Sequence, residues 1–410
     1  MGALGDNMLR KMFKWGGVTF GCIVLIYVVW VLIAMSRTVN ISVDYVSILN
    51  EKATSIPEKQ AAWPLYREAG LALQKFPRPG NVFFEEDIEE PNWPDQVGWN
   101  HVNSWLLQHQ NTLNLIRQGS TRQGLGFILA GAVAEEDKEL WPEEYESQQG
   151  LLPHDGFLVS ILLPQLGNMR NMAQLLDADA KDAAVSGDAK RCKEDLQAML
   201  SLGRQVREHP LLINDLVSFS IFKHVFKTLQ DVLDNEPNLF STEHLSELSS
   251  DLKLLTEHLV IRFEGERLFI LDMLQRMYTD DGNGDGNIVP VDGGRAFLQL
   301  ETVSVESKSS SLLPVILAPI ADIYLASRKE MREEYNRRIA YFERVQDLLL
   351  DDEEAQIPPE PWTSATSTIN PYFLMELLTP AYIKAIEHAV ETKNTRDRLI
   401  DSINKLQRSE

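Results

Sequence analysis

One uninterrupted apolar run near the N-terminus, Gly16–Met35, constrains this chain more than any other feature. Its 20 residues carry neither charge nor proline. At ~1.5 Å of rise per residue, a helix of that length matches the roughly 30 Å hydrocarbon core of a bilayer. Inside that core each backbone amide has to be satisfied within the segment, so helix is the conformation the run requires. The run is also longer than the ~7–15 apolar residues of a cleaved signal peptide, which favours a retained anchor over the cleavage site that Ala34 and Ser36 would offer. Cys22 lies early in the run, with most of the apolar residues after it, and this argues against a lipoprotein signal. Arg10, Lys11 and Lys14 precede the run, whereas Arg37 and Asp44 come after it. The bias of positive charge predicts a cytoplasmic N-terminus and an extracytoplasmic remainder.

That remainder is long enough for a sizeable core and strongly acidic. The whole chain has 39 Lys and Arg against 60 Asp and Glu, a formal net charge of −21. Nucleic acid is excluded as a partner on this ground, because a polyanion needs a basic face to dock on. Of the two cysteines only Cys192 lies outside the apolar run, so no intramolecular disulfide can staple the domain.

Helical periodicity dominates the rest of the chain. Val43–Gln74 is predicted as helix, in two pieces because of Pro57 and Pro64. The Pro-, acid- and aromatic-rich stretch from Phe76 to Trp99 is expected to be a long loop. A helix is expected over His101–Arg117, then a small-residue apolar segment over Gly119–Gly131 and an acidic loop over Ala134–Gly150.

Pro164–Asn235 gives the clearest pattern. Leu166, Met169, Met172, Leu175, Leu176 and Ala180 form one stripe, and Leu196, Met199, Leu200, Leu202 and Val206 form the returning one. Ser186-Gly187-Asp188 makes the turn between them, with Asp188 as the N-cap. Pro210 ends that hairpin, and Leu211–Leu233 is a third helix. Thr242–Tyr278 is predicted as one long helix with a Leu245, Leu248, Leu252, Leu255, Leu259 seam, capped by Ser241 or Thr242. The seam is better explained as an intrachain contact than as a dimer stripe.

A second apolar stretch, Leu312–Ala326, is interrupted by Pro314, Pro319 and Asp322 and is expected to be a buried core segment rather than a span. A charged helix over Ser327–Leu350, a Pro-rich acidic linker and a terminal amphipathic helix complete the chain. The fold class is therefore mainly α: an N-terminal transmembrane helix followed by an elongated helical-hairpin bundle. The expected divisions are 1–15 cytoplasmic, 16–35 membrane span, 38–350 extracytoplasmic helical domain, 351–370 linker and 371–410 C-terminal helix.

One short segment carries recognisable chemistry. With Asp281 at position 1 of a twelve-residue loop, Asn283 falls at 3, Asp285 at 5, Gly286 at 6, Asn287 at 7 and Asp292 at 12. Oxygen-bearing side chains at alternate positions wrap a hard cation, Gly at 6 permits the sharp turn, and position 7 contributes its backbone carbonyl. The segment resembles EF-hand loops, and among them the dockerin-type variant that closes with Asp. It departs from them at Pro290 and Gly293-Gly294, which leave little of an exiting helix. The resemblance implies one weak Ca2+ site, with affinity on the order of 10⁻⁴–10⁻³ M. The competing reading is a Gly/Asp/Asn-rich turn that only ends the helix.

Catalytic signatures are absent from the sequence: no zinc-spaced His/Cys set, nucleophile elbow, Walker loop or dinucleotide fingerprint occurs. His101 and His109, on one expected helix, are two turns apart and too distant for a shared metal. The best enzymatic alternative is a glycan hydrolase with paired carboxylates in an aromatic groove. Glu85, Glu86, Asp87, Glu89 and Glu90 near Trp93, Trp99 and Trp105 form one such set. Glu135, Glu136 and Asp137 near Trp141 form another. In the opposing reading the tryptophans pin irregular loops and the acids face water.

Several phrases taken together resemble a group of uncharacterised single-pass membrane-anchored α-helical proteins of large-genome bacteria. They are Ala61-Ala62-Trp63-Pro64-Leu65-Tyr66, Ser186-Gly187-Asp188, the run His209–Val217, the run Arg276–Gly286, and Leu377-Leu378-Thr379-Pro380-Ala381. This resemblance implies fold and location, not activity. The expected function is that of a membrane-tethered extracytoplasmic scaffold or interaction protein. Its N-terminal helix contacts membrane lipid, its partner is a protein of the envelope, and one structural Ca2+ is expected. A glycan hydrolase and a calcium-dependent binding module are the alternatives.

Overall fold

The computed structural model describes residues 22–78, 91–148, 157–280, 282, 286–289, 326–362 and 372–409. Among these residues the regular structure is α-helix, beginning with α1 over residues 22–35, with short 3-10 turns, and no β-strand occurs. The chain forms two compact units, each assembled from segments distant in sequence. One comprises residues 1–44, 270–340 and 360–379, and the other 45–269, 341–359 and 380–410.

The larger unit is built on α2 (Tyr45–Ser55), α3 (Trp63–Lys75), α4 (Trp99–Gln108), α5 (Gln110–Ser120), α6 (Pro142–Gln148), α7 (Gln165–Val185), α8 (Ala189–Val206), α9 (Leu212–Asn235) and α10 (Thr242–Lys253). The α7–α8 hairpin forms as its sequence predicts. Gly187 turns the chain at φ 73°, a conformation costly for residues with a Cβ. Asp188 then accepts the Arg191 N–H at 3.1 Å and caps α8. Both predicted stripes are buried between the helices, together with Phe219, Phe222, Val225 and Phe226 of α9. Close helix approach depends on small residues. A Cβ on Gly203 would lie 2.4 Å from the Phe222 ring, and one on Gly119 would lie 2.3 Å from the Tyr66 ring.

Charged groups buried in this core cross-link the helices. Arg117 of α5 donates through Nε to Asp195 of α8 at 2.7 Å and also pairs with Asp179 of α7. Burial and the neighbouring Asp179 push the Asp195 carboxyl well above the usual carboxylate range, against the pull of Arg117. Asp177 of α7 receives Thr228 at 2.7 Å and Lys181 at 2.9 Å, with the His224 ring at 3.3 Å. Burial would raise Asp177, but these partners outweigh it and hold the group low. Cys192, also on α8, is fully buried, and burial pushes its thiol up.

Two expected helices are each broken in two. The pattern over 101–117 is interrupted at His109, whose ring is engaged by Thr112 Oγ1 at 3.0 Å and by the Phe76 carbonyl at 2.7 Å. The pattern over 242–278 gives α10, capped by Ser241 as expected, and α11 (Glu264–Met277). The intervening backbone is taken by other partners. Arg207 donates to the carbonyls of His258 and Val260, and Gln346 pairs with both backbone groups of Ile261. The leucine seam is nonetheless buried within the chain from Leu245 to Leu259. The expected acidic loop over 134–150 instead contains a 3-10 turn and α6.

In the smaller unit a helix covers residues 22–35. The earlier part of the apolar run lies outside the described residues. Among those described, no helix is long and apolar enough to cross a membrane. The unit also contains the C-terminal part of α11 and the start of α12 (Arg328–Asp351). Ser327 and Glu330 form a reciprocal capping box at the N-terminus of α12, with N···O distances of 2.8 and 3.3 Å. Arg338 lies over the Trp362 ring at 4.6 Å. The last helix, α13, runs Phe373–Ser409, and its residues from Pro380 belong to the larger unit. The apolar stretch Leu312–Ala326 lies outside the described residues, apart from a buried Ala326.

Candidate functional site

In the larger unit the small-residue segment after α5 folds back on the start of α3. Gly124 and Leu125 carbonyls accept the Ala62 and Trp63 N–H groups at 2.9 and 2.8 Å. That placement brings the segment against the end of α8. Gly126, at φ 68°, donates its N–H to Glu208 Oε1 at 2.8 Å. A Cβ on Gly124 would lie 2.5 Å from Glu208 Oε2, so only glycine lets the carboxylate approach the backbone this closely.

Glu208 is 4% exposed, and its Oε2 is buried without a hydrogen-bond partner. Burial raises its pKa, opposed by the backbone amides around Gly126 and by Lys52. A cleft of about 300 Å³ opens beside this carboxylate, with Lys52, Arg122, Arg204, His258 and Ser120 among its walls. A second cleft of about 540 Å³ shares Lys52 and Glu208 and reaches Arg262 and Glu264.

The cleft is cationic in an acidic protein. Among the described residues Lys52, Arg122 and Arg204 form no ion pair. Arg122 donates to the Lys59 carbonyl, and Arg204 donates to Ser201 Oγ at 2.9 Å. Partial burial, and then the positive charges of Arg207, Arg204, Arg262 and Lys52, hold His258 down to about 4. Next along the chain, Arg207 and Arg262 clamp the fully buried Asp215 at 3.3 and 2.6 Å. Ser120 donates to the Arg117 carbonyl at 2.7 Å. The arrangement is suited to holding charge, with three cations and a carboxylate that has one unpartnered oxygen lining the same cleft.

Asp281, Asn283, Asp285 and Asp292 lie outside the described residues. Asn287 is described, and its carbonyl accepts the Thr279 N–H at 2.9 Å while its own N–H donates to Thr279 Oγ1 at 3.0 Å. An antiparallel bridge between Tyr278 and Ile288 closes the two ends of this segment. Gly286 sits where a Cβ would meet the Thr279 carbonyl at 2.0 Å. Among the described residues no group of three or more His, Cys, Asp or Glu is placed to hold a metal.

Glu85, Glu86, Asp87, Glu89 and Glu90 also lie outside the described residues. In the second acidic set Glu135 is exposed and paired with Lys138, which lowers its pKa. Asp137 is buried and receives Trp63 Nε1 at 3.1 Å and Arg67 Nε at 2.7 Å. Trp141 stacks on Trp63 with ring centroids 5.6 Å apart. Trp93, Trp99 and Trp105 are buried as well. Trp105 donates its Nε1–H to the Phe76 carbonyl at 3.0 Å.

Sequence reasoning did not find the Glu208 cleft. Its walls come from α2, the segment after α5, the end of α8 and the turn after α10, with no local spacing to mark them. The one available signal was Gly124-Leu125-Gly126 within the small apolar segment. Comparison of this chain with known protein families, curated proteins and solved structures gives no match.

Proposed function

We propose that this chain is a membrane-tethered extracytoplasmic helical scaffold, which presents its surfaces to a protein partner in the envelope. The observation that carries the reading is the helix over 22–35. Ile23, Leu25, Ile26 and Leu32 on it are 59–64% exposed, an apolar surface that water does not favour and a bilayer does. The uncharged residues 16–21 immediately before it extend the run to the length of a span. The perturbed buried carboxylates Asp177, Asp195 and Asp215 fit a structural protein, since each is engaged by partners from other segments of the chain. A structural Ca2+ in the loop Asp281–Asp292 belongs to the same reading. It is supported by the oxygen-bearing residues Asp281, Asn283, Asp285 and Asp292 at calcium-loop positions of the sequence, with Gly286 at the sharp turn.

Membrane fractionation tests the tether. In bacterial cells the full chain is expected to stay in the membrane pellet after alkaline carbonate washing. Protease added to intact spheroplasts is expected to digest everything beyond residue 37. Release by carbonate, or protection of the C-terminal region until the spheroplasts are lysed, would overturn the reading.

A further inference from the structure

Three cations without ion-pair partners among the described residues share one cleft in a chain of net charge −21. Glu208, one of whose buried carboxylate oxygens has no hydrogen-bond partner, lines the same cleft. The cations alone would favour any small anion. Glu208 changes that preference, because an ionised carboxylate repels an anion unless a proton sits between them. Hydrogen phosphate carries such a proton on a P–OH group at mildly alkaline pH, whereas sulfate and the dianion of a phosphomonoester carry none. A volume of about 300 Å³ lies at the lower end of small-ligand clefts, roughly 300–1,000 Å³.

We propose that this cleft binds a protonated oxyanion, hydrogen phosphate, with Lys52, Arg122 and Arg204 on its charged oxygens and Glu208 Oε2 accepting the P–OH hydrogen bond. Charge-assisted hydrogen bonds of this kind are about twice as strong as neutral ones, and a guanidinium matches two oxyanion oxygens at once. Arg122 and Arg204 are each held by one donated bond, to the Lys59 carbonyl and to Ser201. Their remaining N–H groups are left to the ligand. Glu208 is held at Oε1 by Gly126, and Gly124 leaves room for Oε2. Nothing in this geometry depends on the membrane tether.

Calorimetric titration of the full chain, in a detergent without phosphate, tests it at mildly alkaline pH, where Glu208 is ionised. Inorganic phosphate is titrated first, then sulfate at matched ionic strength, then glycerol phosphate. Phosphate is expected to bind at one site and sulfate on the order of tenfold more weakly, as one lost charge-assisted hydrogen bond implies. Glycerol phosphate, a dianion without a P–OH proton at this pH, is expected to bind as weakly as sulfate, and tighter binding of glycerol phosphate than of phosphate would overturn the proposal. Arg204→Gln, a half-buried wall residue, should weaken phosphate by about the same factor. Glu208→Gln should bring phosphate and sulfate close together, because the amide donates to either anion. Equal affinity for phosphate and sulfate in the unmodified chain would overturn the proposal. So would unchanged phosphate binding in Arg204→Gln, or no binding up to millimolar phosphate.

Discussion

Both ring nitrogens of His209 are buried without a hydrogen-bond partner, and the residue is 0% exposed. Burial first, then the charges of Arg262 and Lys52, push its pKa from 6.5 down to about 4. Because the folded value lies below the unfolded one, the unfolded chain takes up the proton first as pH falls. The contribution to stability is complete above about pH 6.5 and is lost progressively toward about pH 4. The size is about 3 kcal/mol from the shift alone. Urea denaturation across this window should show a falling midpoint in the natural chain and a shallower fall in His209→Gln. His258 titrates in the same window and in the same direction, so part of the slope persists in that variant. Identical slopes would remove His209 as a contributor. At this scale the sequence was informative about caps and turns but silent about Glu208. A buried carboxylate is recognisable only from the backbone amide of Gly126 that holds it, 82 positions away.

Helix ends divide by the origin of what stops them. Where the stop is a local residue, the sequence located it. Gly187 supplies the left-handed turn, Asp188 the cap and Pro210 the break. Asp188→Ala should therefore lower stability by about 1 kcal/mol, with Asp188→Asn close to the natural chain, because the amide oxygen still accepts the Arg191 N–H. Urea unfolding of the two variants measures the difference, and an equal loss in both would attribute the effect to charge rather than capping. Where the stop is imposed from elsewhere, periodicity ran straight through it. His109 is turned out of helix by the Phe76 carbonyl, and residues 258–261 are held by Arg207 and Gln346. No residue inside those segments signals a break.

For the whole molecule, apolar periodicity was enough to give a mainly α protein. The grouping of 270–340 with 360–379, and of 45–269 with 341–359 and 380–410, comes from contacts distant along the chain, which a linear pass does not register. Net charge also acts at this scale. At −21 the folded chain repels itself, so any added cation raises the melting temperature by screening. Calcium must therefore be judged against sodium at equal ionic strength. If the loop Asp281–Asp292 holds Ca2+, millimolar calcium should raise the melt several degrees beyond the sodium control, and Asp281→Ala should abolish only that excess. An equal response to both salts would reduce the loop to a turn.

The burial of Cys192 in the middle of α8 makes the chain its own timekeeper. A thiol reagent meeting the native protein finds Cys192 sealed and protonated, while Cys22 lies within the apolar run proposed to span the membrane. Cys22 reacts at a rate set by its membrane surroundings, and Cys192 only as often as α8 separates from α7 and α9. The rate of the Cys192 step, followed by mass spectrometry in dilute denaturant, reads the opening frequency of the central helices without any introduced probe.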